Sequence, residues 1–496
     1  VASPGDLVGT DGGLTVNLLG LNHLIKLSNL LSLGQAIEVK ITNSSVIGIE
    51  SGMTIEATGQ REENSVQDYV VGGFVARSGS TKISNSIVKN LKYVKTTDQG
   101  GYAGGFVGIS KTGGLAEVGD ETEIKSLIEA NGLLNAVAYL IPKYEQCRVE
   151  FVKEGQVIGD LAGGFAADFQ SGTLDDAGEN IAVNNIEKVS GRSYAGGFAG
   201  KVYAGALADA SKGISILGGL TGLNIQLNDL LKLVNVYVPI IKNAGVHSEE
   251  GLVVNASGYD EIDLTSGSAG GYIGYASAVQ ITNSDVSNLK HTTVTPPSED
   301  LNSSDGSSYY NGDSYYAVSA QNCAGGFVGK LDIGNTASLG KGLSVLGSSI
   351  ELSNLLSALD VVASKIENCD VTGNIGGYSV KANGSSNANG TLGKAGGFVG
   401  ENDGSQLQNC NAYNFAYVIG QISAGGYVGS MQPGDVASVL GDTTLLGGLV
   451  NISGGLASIL QSFIPMIYNS QTTCIPCGGV VRASSPTQNG VQKGCA

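Results

Sequence analysis

The sequence predicts a mainly β chain: a right-handed parallel β-solenoid of about five repeats, each carrying an inserted Leu-rich helix. Three observations carry this expectation. The phrase Ala-Gly-Gly-aromatic-aliphatic-Gly recurs along the chain, a second phrase, aliphatic-x-Asn-small, recurs between its copies, and leucine-rich runs separate the pairs. Self-similarity of this kind marks units that bury their apolar face only by stacking on their neighbours.

The first phrase reads Ala103-Gly104-Gly105-Phe106-Val107-Gly108 and returns at Ala195, Ala269, Ala324, Ala395 and Ala424. Degenerate copies are Gly72-Gly73-Phe74, Gly163-Gly164-Phe165 and Gly376-Gly377-Tyr378. It reads as a bend with unusual backbone angles followed by one inward ring. The second phrase is Ile41-Thr42-Asn43-Ser44, then Ile83-Ser84-Asn85-Ser86, Ile281-Thr282-Asn283-Ser284, Ile366-Glu367-Asn368-Cys369 and Leu407-Gln408-Asn409-Cys410. Its aliphatic residue suits the core. Its Asn suits a bend, with stacked Asn side chains hydrogen-bonding along the turn. The leucine runs, such as Leu27–Leu33, Leu227–Leu233 and Leu352–Ser357, repeat apolar residues at helical spacing, and Pro142, Pro239 and Pro465 follow three such runs, where proline stops a helix.

These marks divide the chain into repeats 1–108, 109–200, 201–329 with a surface loop at 292–320, 330–429 with a loop at 380–392, and an incomplete 430–496. Roughly fifteen to eighteen coils at about 4.8 Å each would make a rod on the order of 70–90 Å long. Pro4-Gly5-Asp6 matches Pro433-Gly434-Asp435, and Gly494-Cys495-Ala496 resembles Asn322-Cys323-Ala324, which suggests a stretch of a longer repetitive protein.

Composition narrows the classes. Hydrophobic residues at 42% exclude global disorder, and the 76 glycines lack the every-third-residue period of collagen. A net charge of −17 repels phosphate backbones, so nucleic acid is not an expected partner. The uncharged run from Thr443 to Val481 is long enough to span a bilayer, but the equivalent runs carry Lys26, Glu129, Asp229 and Asp360. A core helix is therefore expected there, and no membrane span.

The search for chemistry gives little. There is no His-Glu-x-x-His, no Gly-x-Ser-x-Gly and no phosphate loop, so no catalytic residue is assigned. Asp175-Asp176 and Glu249-Glu250 are adjacent pairs, whose members point to opposite faces of a strand. Asp300, Asp305 and Asp313 are weak calcium candidates without a recognised spacing, and no other metal or cofactor is expected. Tyr309, Tyr310, Tyr315 and Tyr316, among Ser, Asn and Gly, form a candidate binding loop, or else fold back on their own scaffold. Cys147, Cys369 and Cys410 read as small turn or core residues, whereas Cys477 and Cys495 are candidates for a local disulfide.

The Ala-Gly-Gly-Phe-Val-Gly phrases with Ile-x-Asn-Ser/Cys between them resemble the GLUG-type repeats of large, adhesin-like bacterial surface proteins. The resemblance covers nearly the whole chain except the loops. It implies an extracellular or cell-surface β-solenoid in a stalk, fibre or adhesive role. The expected partners are further copies stacked head to tail, and a host surface protein or glycan. The alternative is a glycan-binding or glycan-cleaving β-helix, for which converging carboxylates beside Lys or Arg would be the sign.

Overall fold

A computed structural model describes residues 38–58, 69–96, 100–112, 141–175, 179–204, 237–260, 263–290, 316–334, 363–384, 392–434, 464–476 and 478–483. The elements there are strands, and every pairing between them is parallel, in one sheet of 27 strands and one of eight. The chain is thus mainly β and parallel, as expected. The leucine-rich runs at 27–33, 227–233 and 352–357 lie outside the described residues.

Register repeats from layer to layer. Ile41, Ile83, Tyr144, Leu174, Ile241, Ile281, Ile366, Leu407 and Ile467 pair in turn, in a ladder nine strands deep. Long strands such as Thr81–Thr96 and Lys143–Gly163 bend at register shifts and so serve three successive faces of one layer. Val88 stacks on Val149, and Val94 on Val157, so each inward column stays apolar and merges into a single core. One layer uses one Asn phrase and one Gly-Gly phrase. The nine described layers rise about 40 Å, because each layer consumes three strand faces and a folded-back arch.

The Asn phrase does what its composition asks. Asn43, Asn85, Asn243, Asn283, Asn368, Asn409 and Asn469 all sit in the left-handed region, at φ 47–54°. Asn tolerates that region better than other residues with a Cβ. Asn283 donates to Asn243 at 3.2 Å and Asn409 to Asn368 at 2.9 Å, so the side chains do bond along the turn. The small residue that follows caps the bend: the hydroxyls of Ser86 and Ser284 donate to the carbonyls two residues back, and Cys369 and Cys410 place their Sγ on the equivalent oxygens at 3.2 Å. Cys147, Cys369 and Cys410 are buried free thiols in these turns.

The Gly-Gly phrase forms an arch eight layers deep, from Val71 through Ala103, Ala162, Ala195, Ala269, Ala324 and Ala395 to Ala424. Its rings stack from Phe74 through Phe106, Phe165, Phe198, Tyr272, Phe327 and Phe398 to Tyr427, with centroids 4.7–5.3 Å apart. The glycines are not there for unusual angles. Among the described arch glycines none has positive φ, and the reason is space. A Cβ on Gly271 would lie 2.0 Å from the carbonyl oxygen of Gly326 in the next layer, and one on Gly270 would lie 2.0 Å from the carbonyl oxygen of Ile273 across the arch.

Four expectations need correction. Gly376-Gly377-Tyr378 is not an arch: Gly377 has φ 86°, and Tyr378 pairs with Phe415 on the face before the arch. The loop set at 292–320 ends earlier, because Val318–Ala320 is a strand whose Val318 is held in the core between Val254 and Val380. The loop at 380–392 likewise begins later, since Tyr378–Ala382 is a strand. The uncharged run to Val481 is strand, not helix, over Met466–Tyr468, Gln471–Cys474 and the start of Val480–Ala483.

Candidate functional site

Most of the expected site residues fall outside the described part of the chain: Tyr309, Tyr310, Tyr315, Asp300, Asp305, Asp313, Cys477 and Cys495. Tyr316 is described. It is half-buried, with the Lys381 ammonium 5.0 Å from its ring centroid. Glu249 and Glu250 are exposed, and Glu250 pairs with Lys153 at 3.2 Å across solvent. Among the described residues no three His, Cys, Asp or Glu side chains are grouped to hold a metal ion.

Charge converges elsewhere, on the outer side of the arch. The residue just before the phrase and the residue just after it face each other across the two arms, and each forms a column through the layers. One column runs Tyr102, Leu161, Tyr194, Ser268, Cys323, Lys394 and Ser423. The other runs Arg77, Ile109, Asp168, Lys201, Tyr275, Lys330, Glu401 and Ser430.

Two polar groups form between these columns. In the first, the Lys201 ammonium lies 4.7 Å from the ring centroid of Tyr194 and 5.3 Å from that of Tyr275, with Asp263 3.8 Å away. Burial works to raise the Asp263 carboxyl, but hydrogen bonds donated by Tyr194 and Thr265 and the Lys201 charge hold it below its ordinary value.

The second group is denser. Glu401 is 2% exposed, and one of its oxygens accepts from Lys330 at 3.1 Å while the other contacts Lys394. Lys330 also reaches Asp403 at 3.0 Å and Asp332 at 3.8 Å, and the buried Cys323 thiol donates to Glu401 at 3.4 Å. Burial opposes the Glu401 charge, yet the two lysines overcome it and hold the carboxyl below its ordinary range. Burial pushes the Asp332 carboxyl up, Lys330 draws it down, and Asp403 and Glu401 push it up again, leaving it at about 8. At neutral pH two ammonium groups therefore face two carboxylates and one carboxylic acid, so the group is neutral as a whole. A buried cluster of this size needs that balance, since an unpaired charge costs several kcal/mol on the order of 3–5.

Sequence reasoning did not find this group. A signal was present: Lys330 and Glu401 occupy the same offset after Gly329 and Gly400, so aligning the phrases sets opposite charges one layer apart. No protein-family model, no curated protein and no solved structure matches the chain. Among the described residues no helix is long and apolar enough to cross a membrane.

Proposed function

We propose that the chain is a non-enzymatic structural or adhesive repeat protein of the bacterial cell surface, a right-handed parallel β-solenoid of GLUG type with leucine-rich helical inserts. The observation that carries this reading is the unbroken stack of eight arch rings. A chain that repeats one layer so closely invests its sequence in axial length, and its end layers offer unpaired parallel strands to a further layer. No described strand covers those layers: the core-column residues Ile41 and Val46 at one end, and Ile467 and Val481 at the other, are only half-buried. The partners proposed are further layers of the same kind, stacked head to tail, and a host protein or glycan.

The glycan-cleaving alternative draws on the converging carboxylates and lysines around Glu401. Their burial and mutual pairing favour a structural role, because glycosidic chemistry needs a carboxylic acid and a carboxylate open to the sugar. Negative-stain images of the concentrated, purified chain test the reading: rods several chains long with a cross-section of one layer are expected, and single particles alone would defeat it.

A further inference from the structure

Lys394 and Glu401 are in direct contact, ammonium to carboxylate. The two lie seven residues apart on the facing arms of one arch, Lys394–Gly396 and Val399–Asp403. A Cβ on Gly396 would meet the Val399 carbonyl oxygen at 1.9 Å, so the arms are already as close as backbones allow. The amine and the carboxyl group are therefore held together, with the carboxyl shielded from water, in the proximity that intramolecular reactions exploit.

We propose that Lys394 Nζ and Glu401 Cδ are the partners of an intramolecular isopeptide cross-link that closes the arch of this layer. The step is a condensation. The Nζ–Cδ bond forms, the bond from Cδ to one Glu401 oxygen breaks, and that oxygen leaves as water. Two of the three ammonium protons of Lys394 end on the departing oxygen, the third stays on the amide nitrogen, and nothing is oxidised or reduced. The neighbours suit this chemistry. Lys330 donates to Glu401 Oε2 at 3.1 Å, which marks that oxygen as the one that departs and places a proton donor beside it as its bond to Cδ breaks. Lys330 also donates to Asp403 Oδ2 at 3.0 Å, linking the reacting pair to Asp403 and Asp332. One of those two carboxyls carries a proton at neutral pH, so the pair can lend and recover protons while ending unchanged. Asp403 Oδ1 is buried with no hydrogen-bond partner, which leaves an acceptor free for that traffic.

Energetics point the same way. The ion pair keeps two charges desolvated, whereas the amide carries none, and Lys330 with Asp403 and protonated Asp332 remains neutral after the reaction.

The test is the intact mass of the full chain after complete reduction of its thiols, followed by peptide mapping. The expected result is a mass lower than the sequence sum by one water, with a branched peptide joining the Lys394 and Glu401 segments. Lys394→Arg, which keeps the charge but not the nucleophile, should restore the full mass, and Glu401→Ala should do the same. Asp332→Asn should accumulate unlinked chain. A wild-type chain of full mass with both residues in linear peptides overturns the proposal. So does a branch from Lys330 instead of Lys394.

Discussion

At the scale of single residues, the arch glycines separate two kinds of constraint that a sequence presents alike. Positive φ accounts for Gly52, Gly251 and Gly377, whereas the described arch glycines other than Gly426 are excluded from bearing a Cβ by carbonyl oxygens about them. The second glycine of each arch points at the next layer, so its tolerance depends on whether a layer is there. Gly271→Ala places a Cβ 2.0 Å from the Gly326 oxygen, and backbone has to move in two layers. Gly426→Ala, at the same phrase position in the eighth arch, meets no atom of the described residues nearer than 3.8 Å. The expected loss in denaturant unfolding is about 3 kcal/mol or more for Gly271→Ala and within about 0.5 kcal/mol for Gly426→Ala. Equal losses would show that the glycines act through chain entropy instead. The asparagines were more legible. Their place at a bend followed from residue type, and the left-handed backbone explains why Asn recurs there. A second bend was missed, although Asn90, Asn288 and Asn414, at φ 56–66°, each follow an Asn of the first bend by five residues. That spacing was visible, and Val88, Val286 and Ala412 repeat the aliphatic-x-Asn pattern, but the residue that follows is the larger Leu91, Leu289 or Phe415 and not the small residue of the first phrase.

At the scale of elements, the return arms Val328–Asp332 and Val399–Asp403 show why the buried charge cluster escaped the sequence. Pattern reading assigns polar residues of a strand to solvent, and Lys330, Asp332, Glu401 and Asp403 alternate with core residues as solvent-facing residues would. The tight arch instead folds that face toward the preceding arm, where Cys323 and Lys394 lie, and removes it from water. Asp332 then couples stability to pH. Its carboxyl titrates near 3.9 in an unfolded chain and near 8 in the fold. The folded state holds the extra proton between those values, so this contribution is fully present below the unfolded value and is lost as pH rises to about 8. Glu401 and Asp263 are shifted the opposite way, so their contributions are present above the usual carboxylate range and lost on acidification. A window from about pH 6 to about pH 8.5 therefore isolates Asp332 from these two carboxylates. Wild type should lose stability across it in thermal unfolding. Asp332→Asn, which stays neutral and still donates to Asp403, should flatten the loss. A variant as steep as wild type would place the slope elsewhere.

At the scale of the whole molecule, the parallel ladders leave the two end layers unlike the interior in that no described strand is stacked on them. The core residues there are half-buried: Ile41, Val46, Ile55 and Phe74 at one end, and Tyr427, Ile467 and Val481 at the other. They sit in the same columns as fully buried residues between them, so a second copy placed head to tail would continue the strand columns, with Ile41 of one copy over Ile467 of the next, as Ile41 pairs with Ile83 within the chain. The described arch column ends one layer earlier, at Tyr427, and does not set this joint. Covering the half-buried aliphatic side chains favours the joint, and the paired strand edges add backbone hydrogen bonds along the layer. The joint has a sharp test. Ile467→Lys puts a charge on the face that Ile41 of the incoming copy would cover, whereas in the isolated chain this side chain is only half-buried and the ammonium reaches water. The substitution should therefore block continuation at small cost to the chain itself. Sedimentation velocity of concentrated wild type should show end-to-end association, and the Ile467→Lys chain should remain at the smallest species while still unfolding cooperatively. If the variant associates as wild type does, the joint is not made through this end of the stack.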